Sequence, residues 1–284
     1  MTPAERKKIG ILVGGGPAPG INAVIHSVAS TARQHGWEAF GLVDGFQHLI
    51  EGEARGFALE PDVIAYIHRE GGSILRTSRA NPTRSKKALR SCGAALLKAG
   101  INALVSIGGD DTAYSAYRVV RTLQEEMGCP FQSVHVPKTI DNDLPLPEGI
   151  PTFGFETARD LGARLVMNLK QDAVTSQHWF LVLTMGRKAG HLALSIGKSA
   201  NATVTLIPEE WPEGEIPLQE VVDILAGTVI QRLAEGKAYG VACLAEGILE
   251  RLSREDLRSL EHVERDEHGH IRLAEVNFLD LLKE

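Results

Sequence analysis

Cysteine is scarce in this chain of 284 residues: Cys92, Cys129 and Cys243 stand far apart, with no CxxC spacing among them. That spacing excludes a zinc knuckle and a disulfide framework, and it sets a reducing, cytoplasmic environment as the expectation. Long apolar runs are missing as well. The opening MTPAERKK is followed only by IGILV before a glycine turn, too short for a signal-peptide core, and no stretch approaches the ~20 apolar residues of a membrane helix. Positive charge is not in surplus: a net charge of −6 gives no general attraction for nucleic acid or an anionic membrane, so neither is an expected partner. An anionic substrate then needs a focused site. Low-complexity tracts and repeats of solenoid period are absent too, so the fold must come from compact cores.

What is present is the composition of a soluble globular protein, with 43% hydrophobic and 23% charged residues. A chain of this size buries roughly 75% of its unfolded surface, enough for one large or two modest cores. Short β-branched runs alternate with longer amphipathic segments, the pattern of βαβ units in a mostly parallel sheet. The expected strands are 8–13, 39–43, 103–107 and 133–136, with helices over 21–34, 85–98 and 112–126. After a proline-rich stretch, 144–151, a second series follows: helix 158–170, strand 179–184, helix 191–199, strand 203–207, helix 218–234 and strand 239–244. The expected fold class is therefore α/β in two lobes, 1–145 and 146–284, joined through the Pro145 and Pro147 segment. The tail reads as a charged helix after Leu252, a turn over 266–269 and a short strand over 270–273. His268 and His270 in it are assigned no role, because a polar hairpin turn accounts for them.

Three turns carry the chemistry, each placed after a strand. The first is GGGPAPG, Gly14 to Gly20, ahead of a helix. Such a turn presents free backbone N–H groups and the positive end of a helix to a phosphate, or else it simply packs the helix on the strand. It is neither GxGxxG nor a Walker A loop, since Pro19 and Ile21 stand at required positions. The second is GGDDT, Gly108 to Thr112, whose Asp110 and Asp111 serve either as helix-capping groups or as hard oxygen ligands for magnesium. The third is PKTIDND, Pro137 to Asp143, with a cation, a hydroxyl, an amide and carboxylates packed into one loop. In open α/β sheets the ligand crevice lies at the carboxyl ends of the strands, where all three turns fall. MGRKAGH, Met185 to His191, follows a fourth strand, and its Arg187 and Lys188 either bind a phosphate or face solvent.

In this order, and with LAEG at 244–247, these motifs resemble the phosphofructokinase family from about Lys8 to Glu250. The resemblance implies two lobes with the active site in the cleft between them and transfer of a phosphoryl group to the 1-hydroxyl of fructose 6-phosphate. It implies Asp141 as the general base. It also implies Thr139, Ile140, Met185, Gly186, Arg187 and Glu246 at the sugar phosphate, and Asp110 on Mg2+. Gly15, Arg79, Gly109, Asp111 and Thr112 would meet the donor, and Lys138 and Arg187 would stabilise transferred charge. A homodimer or homotetramer is the implied assembly.

Donor choice turns on Asp111 and Lys138, since ATP-dependent members have glycine at least at the first. A carboxylate about 4 Å from an α-phosphate costs on the order of 4 kcal/mol at an effective dielectric of about 20, which disfavours a nucleotide. Lys138 is the compensating cation for a departing phosphate, so the pair points to pyrophosphate. An ATP-dependent enzyme and a noncatalytic or regulatory subunit of the same fold are the alternatives. Two departures from the family pattern stand out. Gln177, His178 and Trp179 open the strand where many members carry an arginine, and nothing after Glu250 resembles the family's later substrate-binding segment, as in a chain shortened at its C-terminus.

Overall fold

The computed structural model describes residues 7–253 and 255–256, which divide into two compact units. The first runs to Thr139 and includes Leu144–Gly154; the second comprises Ile140–Asp143 and the chain from Phe155 onward. The expected histidine-containing turn near 268 and strand near 270 lie outside the described residues.

In the first unit, β1 (Lys8–Val13), β2 (Glu38–Leu42), β3 (Gly56–Ala58), β4 (Ala103–Gly108), β5 (Gln132–Thr139) and β6 (Phe153–Gly154) form one sheet in the order β3-β2-β1-β4-β5-β6. All pairings are parallel except β2 with β3. A parallel sheet is covered on both faces, and β1 shows why its run is continuously apolar. Ile11 and Val13 face a core with Ile21, Ile25 and Ala29 of α1 (Ile21–Gln34), and Leu12 faces a second core on the opposite side. Two single-turn helices follow β2 and β3, α2 (Gln47–Ile50) and α3 (Pro61–Ile64).

The second core is closed by α4 (Lys86–Lys98) and α5 (Asp110–Glu125), which bury Leu89, Cys92 and Leu96 against Val119 and Leu123. Helix α4 starts where its sequence says it should: the Ser85 hydroxyl oxygen accepts a bond from the Ala88 N–H at 3.1 Å. Strand β5 runs on through Pro137 to Thr139, three residues beyond its expected end. A proline is tolerated there because β6 joins β5 only at Lys138 and Thr139, leaving the flank at Pro137 unpaired.

The second unit has a three-stranded parallel sheet in the order β7-β9-β8, from β7 (Trp179–Thr184), β8 (Val204–Leu206) and β9 (Gly240–Ala245). Helices α6 (Phe155–Ser176) and α7 (His191–Ala200) cover one face through Ala163, Val166, Leu192 and Ile196 against Val241 and Cys243. Helix α8 (Leu218–Ala234) covers the other through Val221 and Leu225 against Ala242 and Leu244. Trp179 fills the space beside Gly240, where an added Cβ would lie 2.5 Å from the indole ring. A short α9 (Glu246–Arg251) follows β9 at once, and most of the helix expected after Leu252 lies outside the described residues.

The expected division at residue 145 differs from the observed one. Residues 144–154 stay with the first unit because Phe153–Gly154 extends its sheet, whereas Ile140 packs against the core of the second. The chain thus changes units inside PKTIDND, between Thr139 and Ile140.

Candidate active site

The strand order of the first unit reverses direction between β1 and β4: β1 leads outward to β2, and β4 leads the other way to β5. The crevice at such a switch point, beyond the strands' carboxyl ends, is where open α/β sheets bind ligands. Parallel register places Val13 beside Ile107 and Gly108 beside Pro137, so the three turns leave the sheet at one edge.

They touch directly. Gly14 donates its N–H to the Ile107 carbonyl at 2.9 Å and bridges to Ser78, whose carbonyl accepts the Gly15 N–H at 3.0 Å. The Thr77 hydroxyl donates to the Gly15 carbonyl at 2.6 Å. Gly15, at φ 83°, takes a left-handed turn that favours glycine. Lys138, 5% exposed at the end of β5, donates its ammonium to the Gly16 carbonyl. An ideal Cβ on Gly15 would sit 3.5 Å from Lys138 Nζ, so the cation lies beside this turn.

Thr112 turns out to be an internal wedge. It is 6% exposed, and its Oγ1 would lie 2.4 Å from a Cβ on Gly14 and 2.5 Å from one on Gly108. Both glycines are therefore required for close approach, and the Thr112 side chain spaces the first turn from the second. Gly109 caps α5 in an extended conformation, and its carbonyl accepts from the Thr112 and Ala113 N–H groups at 3.1 and 3.0 Å. Asp110 and Asp111 occupy the exposed first turn of α5, where carboxylates complement the helix dipole, and Asp110 Oδ1 accepts the Asp111 N–H at 2.9 Å. Among the described residues no three carboxylate, histidine or cysteine groups converge to hold a metal by themselves. The donor set fits a magnesium ion carried in by phosphate oxygens, which takes one or two protein carboxylates. Arg79 is exposed, immediately after the Ser78 that bridges to Gly14.

In the second unit, Thr184 of β7 pairs with Ala245 of β9, so Met185-Gly186-Arg187 and Glu246 emerge side by side. Glu246 Oε1 accepts the Gly186 N–H at 3.2 Å and lies 3.6 Å from Arg187 Nε, which is also 3.4 Å from Glu250. Gly186, at φ 122°, has no room for a Cβ, which would meet the Ala189 carbonyl at 2.6 Å. Met185 and Arg187 are exposed. Ile140 and Asp141 belong to this unit, and the adjoining Asn142 offers its carbonyl to His191, whose Nδ1 donates at 2.8 Å.

The candidates thus form two groups. Gly15, Gly109, Asp110, Asp111, Thr112, Lys138 and Thr139 stand on the first unit, with Arg79 next to them. Ile140, Asp141, Met185, Gly186, Arg187 and Glu246 stand on the second. Sequence reasoning did not find Thr77 and Ser78, which hold the first turn, nor the Ser106–His135 pair behind the second. A lone histidine opposite a serine in two apolar strands was the available signal for that pair.

A profile described as Phosphofructokinase matches residues 8–276. The chain is 52% identical over 280 residues to the pyrophosphate--fructose 6-phosphate 1-phosphotransferase of Thermotoga maritima, covering 98% of this chain and 66% of that protein. It is 36% identical over 241 residues to ATP-dependent 6-phosphofructokinase 2 of Streptomyces coelicolor, covering 84% of this chain and 65% of that one. The fold superposes on a crystal structure of Pichia pastoris phosphofructokinase in the T-state with a TM-score of 0.76 and 25% identity, over 85% of this chain and 26% of that one. The chain spans about two thirds of the length of these curated relatives, 66% and 65%.

Proposed function

The chain belongs to the phosphofructokinase family, and from that membership we propose that it transfers a phosphoryl group from pyrophosphate to the 1-hydroxyl of fructose 6-phosphate, giving fructose 1,6-bisphosphate and phosphate. The observation that carries the donor assignment is Lys138, a buried ammonium beside the Gly15–Gly16 turn, in a chain that places a carboxylate, Asp111, next to Asp110. The 52% identity to a relative named for pyrophosphate supports it.

In this reading the Gly14–Gly16 and Gly108–Asp111 turns receive the donor, with Gly15, Gly109, Thr112 and Arg79 around it. Asp110 holds magnesium, which when bound neutralises charge on the phosphate oxygens. Lys138 offsets charge on the departing phosphate. Met185, Gly186, Arg187 and Glu246 receive the sugar phosphate with Thr139 and Ile140. Asp141 accepts the proton from the sugar 1-hydroxyl as that oxygen bonds to phosphorus, and the bond to the leaving phosphate breaks. Phosphoryl transfer needs little more from the protein than alignment, charge neutralisation and removal of one proton. A cytoplasmic homodimer or homotetramer, as expected for the family, completes the proposal.

Asp141→Asn tests the assignment of the base. The expected result is a kcat lower by on the order of 10²–10⁴, with fructose 6-phosphate binding in calorimetry within a few-fold of wild type. An unchanged kcat would remove Asp141 from the mechanism.

A further inference from the structure

His135 lies in β5 directly opposite Ser106 of β4, and cross-strand partners point to the same face of the sheet. Ser106 is fully buried at 0% exposure, and its Oγ lies 2.9 Å from His135 Nδ1. The other ring nitrogen, Nε2, lies 3.0 Å from the carbonyl oxygen of Gly108, the residue that opens the GGDDT turn. A carbonyl only accepts, so Nε2 carries the proton. In the neutral ring Nδ1 is then the acceptor, and the Ser106 hydroxyl donates to it. The imidazole is spanned at both ends and has one tautomer to adopt. Burial holds its pKa below the usual histidine value, in keeping with a neutral ring.

We propose that His135 is a positioning residue for the donor turn: with Ser106 behind it, it fixes the Gly108 carbonyl and thereby the peptide that leads into Gly109, Asp110 and the start of α5. The turn is clamped from two directions. Thr112 fills the space against Gly108, and His135 holds its carbonyl. The consequence is a preset orientation for the Asp110–Asp111 carboxylates and for the amides at the head of α5, so that binding the donor does not have to order them. This inference rests on the donor reading above for its kinetic consequence, but its structural content stands on the geometry alone.

The test compares His135→Phe, which removes both bonds, with His135→Gln, whose side-chain amide can still donate to the Gly108 carbonyl. Leaving that carbonyl without its donor is expected to raise the KM for magnesium pyrophosphate roughly tenfold in the phenylalanine variant. The KM for fructose 6-phosphate stays within twofold, and glutamine recovers most of the loss. A fall in kcat alone, or equal shifts in both KM values, would show a merely structural residue and overturn the proposal. Hydrogen exchange at Thr112 and Ala113, whose amides bond to Gly109, supplies a readout without turnover: His135→Phe is expected to speed it about tenfold. Unchanged exchange overturns the proposal whatever the activity. Wild-type protein that turns over with no donor sinks the reading of function, while the exchange result still decides the role of His135.

Discussion

Gly14→Ala measures the contact between the first two turns. Gly14 is not among the residues with positive φ, so alanine there meets no backbone penalty and the substitution reports sterics alone. Its new Cβ would lie 2.4 Å from Thr112 Oγ1, 2.9 Å from Cγ2 and 3.2 Å from Cβ. Thr112 is 6% exposed and packs against Gly108 as well, where an ideal Cβ would lie 2.5 Å from its Oγ1, so its side chain has little free volume to move into. Overpacking of this kind costs about 1–3 kcal/mol. Thr112→Ala removes Oγ1 and Cγ2 and leaves only the 3.2 Å approach to Cβ, which a shift of a few tenths of an ångström relieves. The double variant should therefore be more stable than the sum of the single losses by about 1–2 kcal/mol, a coupling expected only for residues in contact. Urea unfolding of the four proteins, followed by a probe in the first unit, gives these values from the midpoints and a common slope. Strict additivity, or a Gly14→Ala protein as stable as wild type, would refute the wedge.

Other outcomes follow from the same geometry. Asp111→Gly should lower the KM for ATP by about tenfold, well short of the unscreened estimate because Asp111 is exposed at the start of α5, while the KM for pyrophosphate rises; steady-state kinetics with both donors decides. His135 is held neutral by burial, so below its reference value of 6.5 the unfolded chain binds a proton that the folded chain does not. Stability therefore falls as pH drops through that value and levels off below the folded pKa, and urea midpoints between pH 8 and pH 5 should fall less in His135→Gln than in wild type. Burial pushes the Cys92 thiol up to about 12 and the Cys243 thiol up to about 11. Iodoacetamide at pH 8 should then label Cys129, which is only part-buried, well before either, as read by mass spectrometry.

The sheet was legible where apolar runs end in glycine. β1 and β4 fall at or within a residue of their expected places, because a parallel strand buried on both faces must be apolar throughout and the turn after it must be small. Strands β3 and β6 were not foreseen: three residues and two residues carry no periodicity, and their pairing depends on partners far away in sequence. The two units interleave around the expected division for a related reason. Prolines at 145 and 147 marked an interruption of helix and strand, but division into units follows packing, and Ile140 and Phe155 pack with the second core while Phe153 extends the first sheet. At the site, the motifs found the turns but not their supports. Thr112 belongs to a motif that suggests a donor contact, and the fold gives its side chain a second part as a buried spacer between Gly14 and Gly108. His135 and Thr77 lie in no motif at all, since a side chain bonded to a backbone carbonyl leaves no spacing to recognise.

Pyrophosphate as the donor is decided by incubating the purified chain with magnesium and fructose 6-phosphate and supplying pyrophosphate or ATP at equal concentration. Formation of fructose 1,6-bisphosphate with pyrophosphate, at a kcat/KM at least about a hundredfold above that with ATP, is the predicted result; formation with ATP alone, or with neither donor, would contradict it.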